Sequence, residues 1–195
     1  MPVTAEQFGF RNTKPEEIDI FVDILERAAT WMVANKLNQW YPGSFVAPKT
    51  YAHIKNTIAA GNAYFIVKYG NNTNNNNTED SSSDETIIGT FTLNYDDPFD
   101  EMLWKDLVED WTDGVYLHRL VVEREYKGLN LGPKALHFGE QMGLRHGKKY
   151  LRLDCMADNK LLKAYYREKA HFKEFDDYPG ERLFGRFERP ITATL

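Results

Sequence analysis

Cys155 is the only cysteine among 195 residues, so no disulfide can form within the chain, and the sequence reads as one kept in a reducing compartment, the cytoplasm. No apolar run approaches the roughly 20 residues of a membrane-spanning helix. The opening MPVTAEQFGF also lacks the basic and apolar regions of a signal peptide, so no membrane partner is expected. The N-x-T sequons at Asn71 and Asn76 then carry little weight, because glycosylation needs a secretory route. Basic charge is short as well: 24 Lys and Arg stand against 29 Asp and Glu, a formal net charge of −5. That argues against nucleic acid, whose binding surfaces are strongly basic. The chain has no G-x-x-x-x-G-K-[ST] string and no H-E-x-x-H pair, which excludes a P-loop and leaves no metal site to expect.

What the chain does have is apolar bulk. With 42% hydrophobic and 14% aromatic residues, it can bury one sizeable core, and one domain over 1–195 is expected. FGFRN at 8–12 suits a first strand. The segment 14–36 opens with Pro15 and two glutamates, as helix N-termini favour, and Ile18, Val22, Leu25, Ala29 and Met32 recur on one helical face. A second helix is bounded by Pro48 and Gly61. Strands are expected at 62–70 and 86–95, joined across a polar Asn/Ser-rich segment, 70–86, that reads as a disordered hairpin loop. From Asp96 to Asp113 eight acidic residues stand against one base, Lys105, with Phe99, Trp104 and Trp111 among them.

Beyond that stretch, GVYLHRLVV (114–122) reads as a strand, 131–147 as a helix with Leu131, Ala135, Phe138 and Met142 on one face, and KYLRLDC (149–155) as another strand. A right-handed crossover would make these strands parallel neighbours. A further helix over 159–170 and strands at 171–175 and 182–190 complete a mixed α/β order.

Between strand and helix lies KGLNLGP, 127–133. Glycine lets a ligand approach the backbone closely, and a helix N-terminus aims free N–H groups and the positive dipole end at an anion. Pro133 suits that first turn, where no N–H is needed. A dinucleotide fold is one rival, since Asp154 ends the next strand where a ribose-binding acid belongs. Its fingerprint needs glycines at positions one, three and six, and Asn130 and Pro133 occupy the last two here.

The run LHRLVVEREYKGLNLGPKAL, followed by YLRLDCMADNKLLKAYYREKAHF, resembles the GNAT superfamily of acyl-CoA-dependent N-acetyltransferases over roughly residues 8–190. Lys127, Asn130 and Gly132 stand at the family's [QR]-x-x-G-x-[GA] signature positions. Lys keeps a positive charge, and Asn tolerates left-handed backbone. Asn159, Leu162 and Tyr166 match the family's Asn-x-x-[AL]-x-x-x-Tyr helix, while His171-Phe172 stands one residue late for the usual Gly-Phe, which implies a distorted helix end.

The resemblance implies a central, mostly antiparallel sheet of six to seven strands with about four helices, and a splayed strand pair that holds the acetyl-CoA co-substrate. It implies backbone contacts from Leu120, Val121 and Val122 to the pantetheine arm, and a pyrophosphate site made by Lys127, Gly128, Leu129, Asn130, Leu131 and Gly132, with Asn159 and Tyr166 completing the cofactor set. Lys163, Arg167 and Lys169 are candidates for the ribose phosphate. The implied reaction is direct attack of a primary amine on the thioester, with Tyr166 protonating the departing thiolate. His118, on the Tyr116 side of its strand and of a type that titrates near neutral pH, is the candidate base. Trp40, Tyr41, Trp104 and Asp154 are candidates for binding the amine, which the acidic, aromatic segments suggest is a small cation. Cys155 suits a buried strand position better than a nucleophile. A protein or peptide amine as acceptor, and an inactive CoA-binding module, are the alternatives. A homodimer is left open.

Overall fold

The structure, a computed structural model, describes residues 7–70, 85–180 and 182–192. Its seven strands are β1 (Phe8–Asn12), β2 (Ala63–Tyr69), β3 (Glu85–Asn94), β4 (Gly114–Val122), β5 (Tyr150–Met156), β6 (Lys173–Tyr178) and β7 (Phe184–Pro190), and they form one sheet in the order β1-β2-β3-β4-β5-β7-β6. Every neighbouring pair is antiparallel except β4 and β5. The helices are α1 (Ile18–Ala34), α2 (Pro48–Ala59), α3 (Pro98–Trp104), α4 (Leu131–Arg145) and α5 (Lys160–Ala164).

Five helices rather than four follow from α3, which lies in the acidic stretch between β3 and β4. Its local signals are ordinary: Asp97 caps the helix by accepting from the Phe99 amide at 2.8 Å, and Pro98 takes the first turn. The high acid content masks a buried face at Asp100, Leu103 and Trp104. The Asn/Ser-rich hairpin loop lies largely outside the described residues. Its expected end at 86 is too late, because Glu85 and Thr86 already pair with Tyr69 and Lys68.

The two faces of the sheet carry different cores. On one, α4 buries Leu131, Ala135 and Leu136 against β3, β4 and β5, with Phe138 stacked edge-on to Tyr64 and Phe91. Gly143 permits this approach, since a Cβ there would sit 2.7 Å from the Val115 side chain. On the other face, α1 and α2 bury Phe21, Leu25, Ala29, Ile54 and Ile58 against Ala63, Phe65 and Val67. No helix among the described residues is long and apolar enough to cross a membrane.

The sole parallel pair is also the weakest joint. β4 and β5 pair only at Gly114–Tyr150, Val115–Leu151 and Tyr116–Arg152, and then separate. Arg152 fastens the closed end. Its side chain, 1% exposed, reaches Asp113 and Glu188, each at 2.8 Å, and donates to the Tyr116 hydroxyl at 3.0 Å and the Trp111 carbonyl at 2.9 Å. Trp104 lies under the same guanidinium. The expected splayed pair is therefore present, held at one end and open at the other.

Candidate active site

Where β4 and β5 part, a cavity of about 730 Å³ opens through the sheet, bordered by the edge of β4, the ends of α1 and α2, and the start of α4. The helical stripe of α1 ends at Met32 on its wall. The loop after α1 adds Gln39, Trp40 and Phe45. Glu26 holds that loop, accepting from the Gly43 and Phe45 amides at 2.6 and 2.7 Å.

At the start of α4 the backbone curls. Gly128 has φ 89° and Asn130 φ 56°, so the asparagine adopts the left-handed conformation that its position required. The backbone N–H groups of five consecutive residues, Gly128 to Gly132, make no hydrogen bond to another described residue, whereas Lys127 and Lys134 on either side donate to Arg124 and Asn130 carbonyls. Unpaired amides at the N-terminus of a 15-residue helix form an anion cradle. Lys127 is exposed at its edge. Leu129 and Leu131 offer this loop only their backbone, because their side chains pack into the core.

β4 presents Leu120, Val121 and Val122 along the opening. Val121 pairs with Thr90 and Val122 with Gly89, and neither has a partner on β5. The register breaks between Thr90 and Thr92, which pair with Val121 and His118, so Arg119 and Leu120 together face Phe91 alone. Arg119 sits at φ 54° in this bulge.

His118 lies between two carboxylates, with Nε2 2.8 Å from Asp100 Oδ1 and Nδ1 3.3 Å from Asp154 Oδ1. Burial alone would lower its pKa, but the pull of Asp100 and then Asp154 outweighs this and raises it to about 10. Asp100 is fully buried on α3, and burial raises its own pKa despite the imidazolium. A neutral-pH base at His118 is thus not what the structure offers, since the ring carries its proton there. Asp154 lies on the cavity wall.

A second histidine, which the sequence did not single out, also borders the cavity. His53, on α2, lines the cavity with its Nε2 3.6 Å from Asp97 Oδ2. Burial, followed by the positive charge of Arg119, depresses its pKa below the usual 6.5, so it is a neutral imidazole at pH 7. His53 and Thr50 are three apart on one helical face, but nothing in a lone sequence separates that face from a solvated one. Asp100 was more accessible: its spacing to Leu103 and Trp104 marks the buried side of α3.

Helix α5 passes directly into a π turn, Tyr165–Lys169, in which the Ala170 amide reaches back to the Tyr165 carbonyl at 3.0 Å. The wider turn absorbs the extra residue before His171, which takes φ 56° where a glycine would be at ease. Tyr166, 8% exposed, packs against Phe172 and Phe187 and borders the cavity. Burial pushes its hydroxyl well above the ordinary tyrosine pKa, and that hydroxyl makes no hydrogen bond among the described residues. Tyr165 also faces the cavity, beside Gly132.

Several expected contacts fall elsewhere. Trp104 is fully buried against Tyr116 and Phe175, out of reach of any acceptor. Tyr41 turns outward, donating to Asn38 and stacking under Arg182. Asn159 spends its side chain on structure, accepting from the Leu162 amide at 3.2 Å and donating to Gln39 at 3.3 Å, so it positions the helix that carries the tyrosines rather than lining the cavity. Lys163 and Arg167 are engaged with Glu174, Asp177 and Glu168. Burial lifts the Cys155 thiol to about 12, leaving it protonated and inert.

Comparison with known proteins agrees with this geometry. The chain is 27% identical over 179 residues to an uncharacterized N-acetyltransferase, YesJ, of Bacillus subtilis (strain 168), covering 91% of this chain and 87% of the relative. Its fold matches a GNAT-family acetyltransferase of Listeria monocytogenes with a TM-score of 0.70 at 22% identity, over 94% of each chain. It also matches the PaiA N-acetyltransferase of Thermoplasma acidophilum, solved with coenzyme A, with a TM-score of 0.62 at 18% identity, over 92% of this chain and 97% of that one. The acetyltransferase (GNAT) family model matches residues 31–172, and with the open β4–β5 pair and the unpaired amide cradle beside it, the chain belongs to that family of acetyl-CoA-dependent N-acetyltransferases.

Proposed function

We propose that the protein transfers the acetyl group of acetyl-CoA to the primary amine of a small molecule by direct attack. The observation that carries this reading is the continuity of three parts: an amide cradle at 128–132, a strand edge left free along β4, and a cavity with a neutral imidazole and carboxylates. The cradle suits a pyrophosphate, and the edge of β4 can pair with an extended pantetheine arm as another strand would.

Asp154 and Asp97 attract the acceptor as an ammonium. An alkylamine with a pKa near 10.4 is only about one part in 10³ neutral at pH 7, so a proton must leave before attack, and His53 is the group in the correct state to take it. The amine nitrogen then bonds to the thioester carbonyl carbon. A backbone N–H of β4 beside the opening would receive the developing oxyanion, an interaction worth about 2.7–4 kcal/mol for one such donor. As the C–S bond breaks, Tyr166 gives its proton to the thiolate and is reprotonated, through water, by the second proton that the amine nitrogen sheds, yielding an amide and free CoA with the first proton left on His53. His118, paired with Asp100, also contacts Asp154 through Nδ1 at 3.3 Å and so helps to aim that carboxylate at the cavity. The lone, buried Cys155 suits a cytoplasmic setting.

The test is calorimetric titration with acetyl-CoA and CoA, beside NADH and ATP, followed by thiol release with a panel of amines. Selective CoA binding and amine-dependent thiol release are expected. Failure to bind CoA would sink the assignment.

A further inference from the structure

Ten arginines lie within the described residues, and nine are engaged. Six of them, at 11, 27, 152, 167, 186 and 189, reach carboxylates or carbonyl oxygens. Arg145 meets the Met142 sulfur, and Arg124 and Arg182 lie over the rings of Trp31 and Tyr41. The Arg119 side chain makes no hydrogen bond, ion pair or ring contact with any described residue, although it forms part of the cavity wall; only its carbonyl is engaged, accepting from the Thr90 hydroxyl at 3.2 Å.

Its position is a product of the bulge. Strict alternation along β4 would send Arg119 to the α4 face, where Leu117 packs. The inserted residue and left-handed backbone place it instead in the field of Asp97, Asp100 and Asp154, close enough to His53 to disfavour charge there. Both His118 and Arg119 therefore serve the acceptor side. A half-buried guanidinium with no hydrogen-bonding partner of its own is unfavourable, and burial does lower the pKa of this one. Such a group is most readily accounted for by an anion that arrives with the substrate. Lys49 and Arg182, on the same wall and in no ion pair, add positive charge around it.

Building on the acetyltransferase reading above, we propose that the acceptor is an amine carrying a carboxylate close to its nitrogen, an α-amino acid or a compact analogue, whose carboxylate pairs with Arg119 while its ammonium meets Asp154. The planar fork of Arg119 matches the two oxygens of a carboxylate. A linear polyamine would place a second cation against that fork, and a peptide N-terminus would offer a neutral amide. Both are disfavoured by what they leave unpaired.

The experiment measures thiol release from acetyl-CoA with the proteinogenic amino acids, each beside its own primary carboxamide, and with putrescine and spermidine. It uses the wild type, Arg119→Asn, which tolerates a left-handed backbone, and Arg119→Lys, with CoA titration on each protein to confirm an intact fold. The best amino acid is expected to exceed its carboxamide at least ~10-fold in kcat/KM. Arg119→Asn should bring that ratio toward one, mainly through the KM of the acid, with Arg119→Lys between. Carboxamides or polyamines acetylated as well as the acids by the wild type, or a ratio unchanged in Arg119→Asn, would overturn the carboxylate proposal alone. CoA binding without thiol release for any acceptor would overturn both it and the activity it rests on.

Discussion

His118 and Asp154 touch across the gap that their strands leave. Backbone pairing between β4 and β5 ends at Tyr116 and Arg152, and two residues further along each strand the imidazole Nδ1 comes within 3.3 Å of the carboxylate. Side-chain contact replaces the missing ladder at the point where the cavity begins. Charge on His118 is thus tied to the integrity of the opening as well as to the acceptor.

Stability should report this directly. The folded pKa of His118, about 10, exceeds the ordinary value near 6.5, so the native state holds a proton that the unfolded chain releases. Its contribution is fully present below about pH 6.5 and is lost as pH rises toward 10. Urea midpoints should fall across that window in the wild type, and the fall should be shallower in His118→Asn.

Catalysis should report the other histidine. With His53 as base, kcat against pH should rise through a limb below pH 6.5, the direction in which its pKa is moved. His53→Gln should lack this limb and run about 10²–10³-fold slower. A limb near pH 10 that disappears in His118→Asn would return the role to His118.

Tyr166→Phe keeps the ring packed against Phe172 and Phe187 and removes only the hydroxyl. Because a thiolate leaves without great difficulty, turnover should drop about 10- to 100-fold rather than vanish. CoA affinity by calorimetry should stay within about tenfold, the change of a single hydrogen bond at most being involved.

Gly132 can accept a Cβ, whose nearest neighbour beyond the adjoining residues and its own helix backbone would be the Tyr165 hydroxyl at 3.9 Å. Gly132→Glu should therefore fold normally while placing a negative charge in the amide cradle. Micromolar CoA binding should be lost with the melting temperature of the free protein little changed. Retained binding would move the pyrophosphate elsewhere.

Arg152→Met removes a buried cation from between Asp113 and Glu188. Stranding those carboxylates should cost about 3–5 kcal/mol, read as a lower urea midpoint, and the CoA affinity of the folded fraction should fall because the closed end no longer fixes the opening.

Much of the fold was legible because its cues are local. The β4 segment from Gly114 to Val122, the α4 stripe from Leu131 to Met142, and the second helix starting at Pro48 all follow from periodicity and turn residues. The amide cradle was legible for the same reason, as glycines, Asn130 and Pro133 lie in one short run. The chamber was not. His53, Asp97, Asp100, Arg119 and Asp154 come from α2, α3, β4 and β5 or their borders, and only the tertiary fold brings them together. Trp104 misled because aromatic residues among acids look like a binding surface, whereas α3 folds that face inward. The surroundings of His118 were not legible, because an intrinsic pKa says nothing of two carboxylates contributed by distant segments.

A sheet fastened by Arg152 at one end and parted at the other separates persistence from selectivity. Arg152 and the carboxylates that hold it lie at the closed end, away from Lys49, Arg119 and Arg182 on the cavity wall, so the mouth can change without loosening the rivet. Exchanges at Lys49, Arg119 or Arg182 should then change what the mouth accepts while leaving both the rivet and the loop at 128–132 intact.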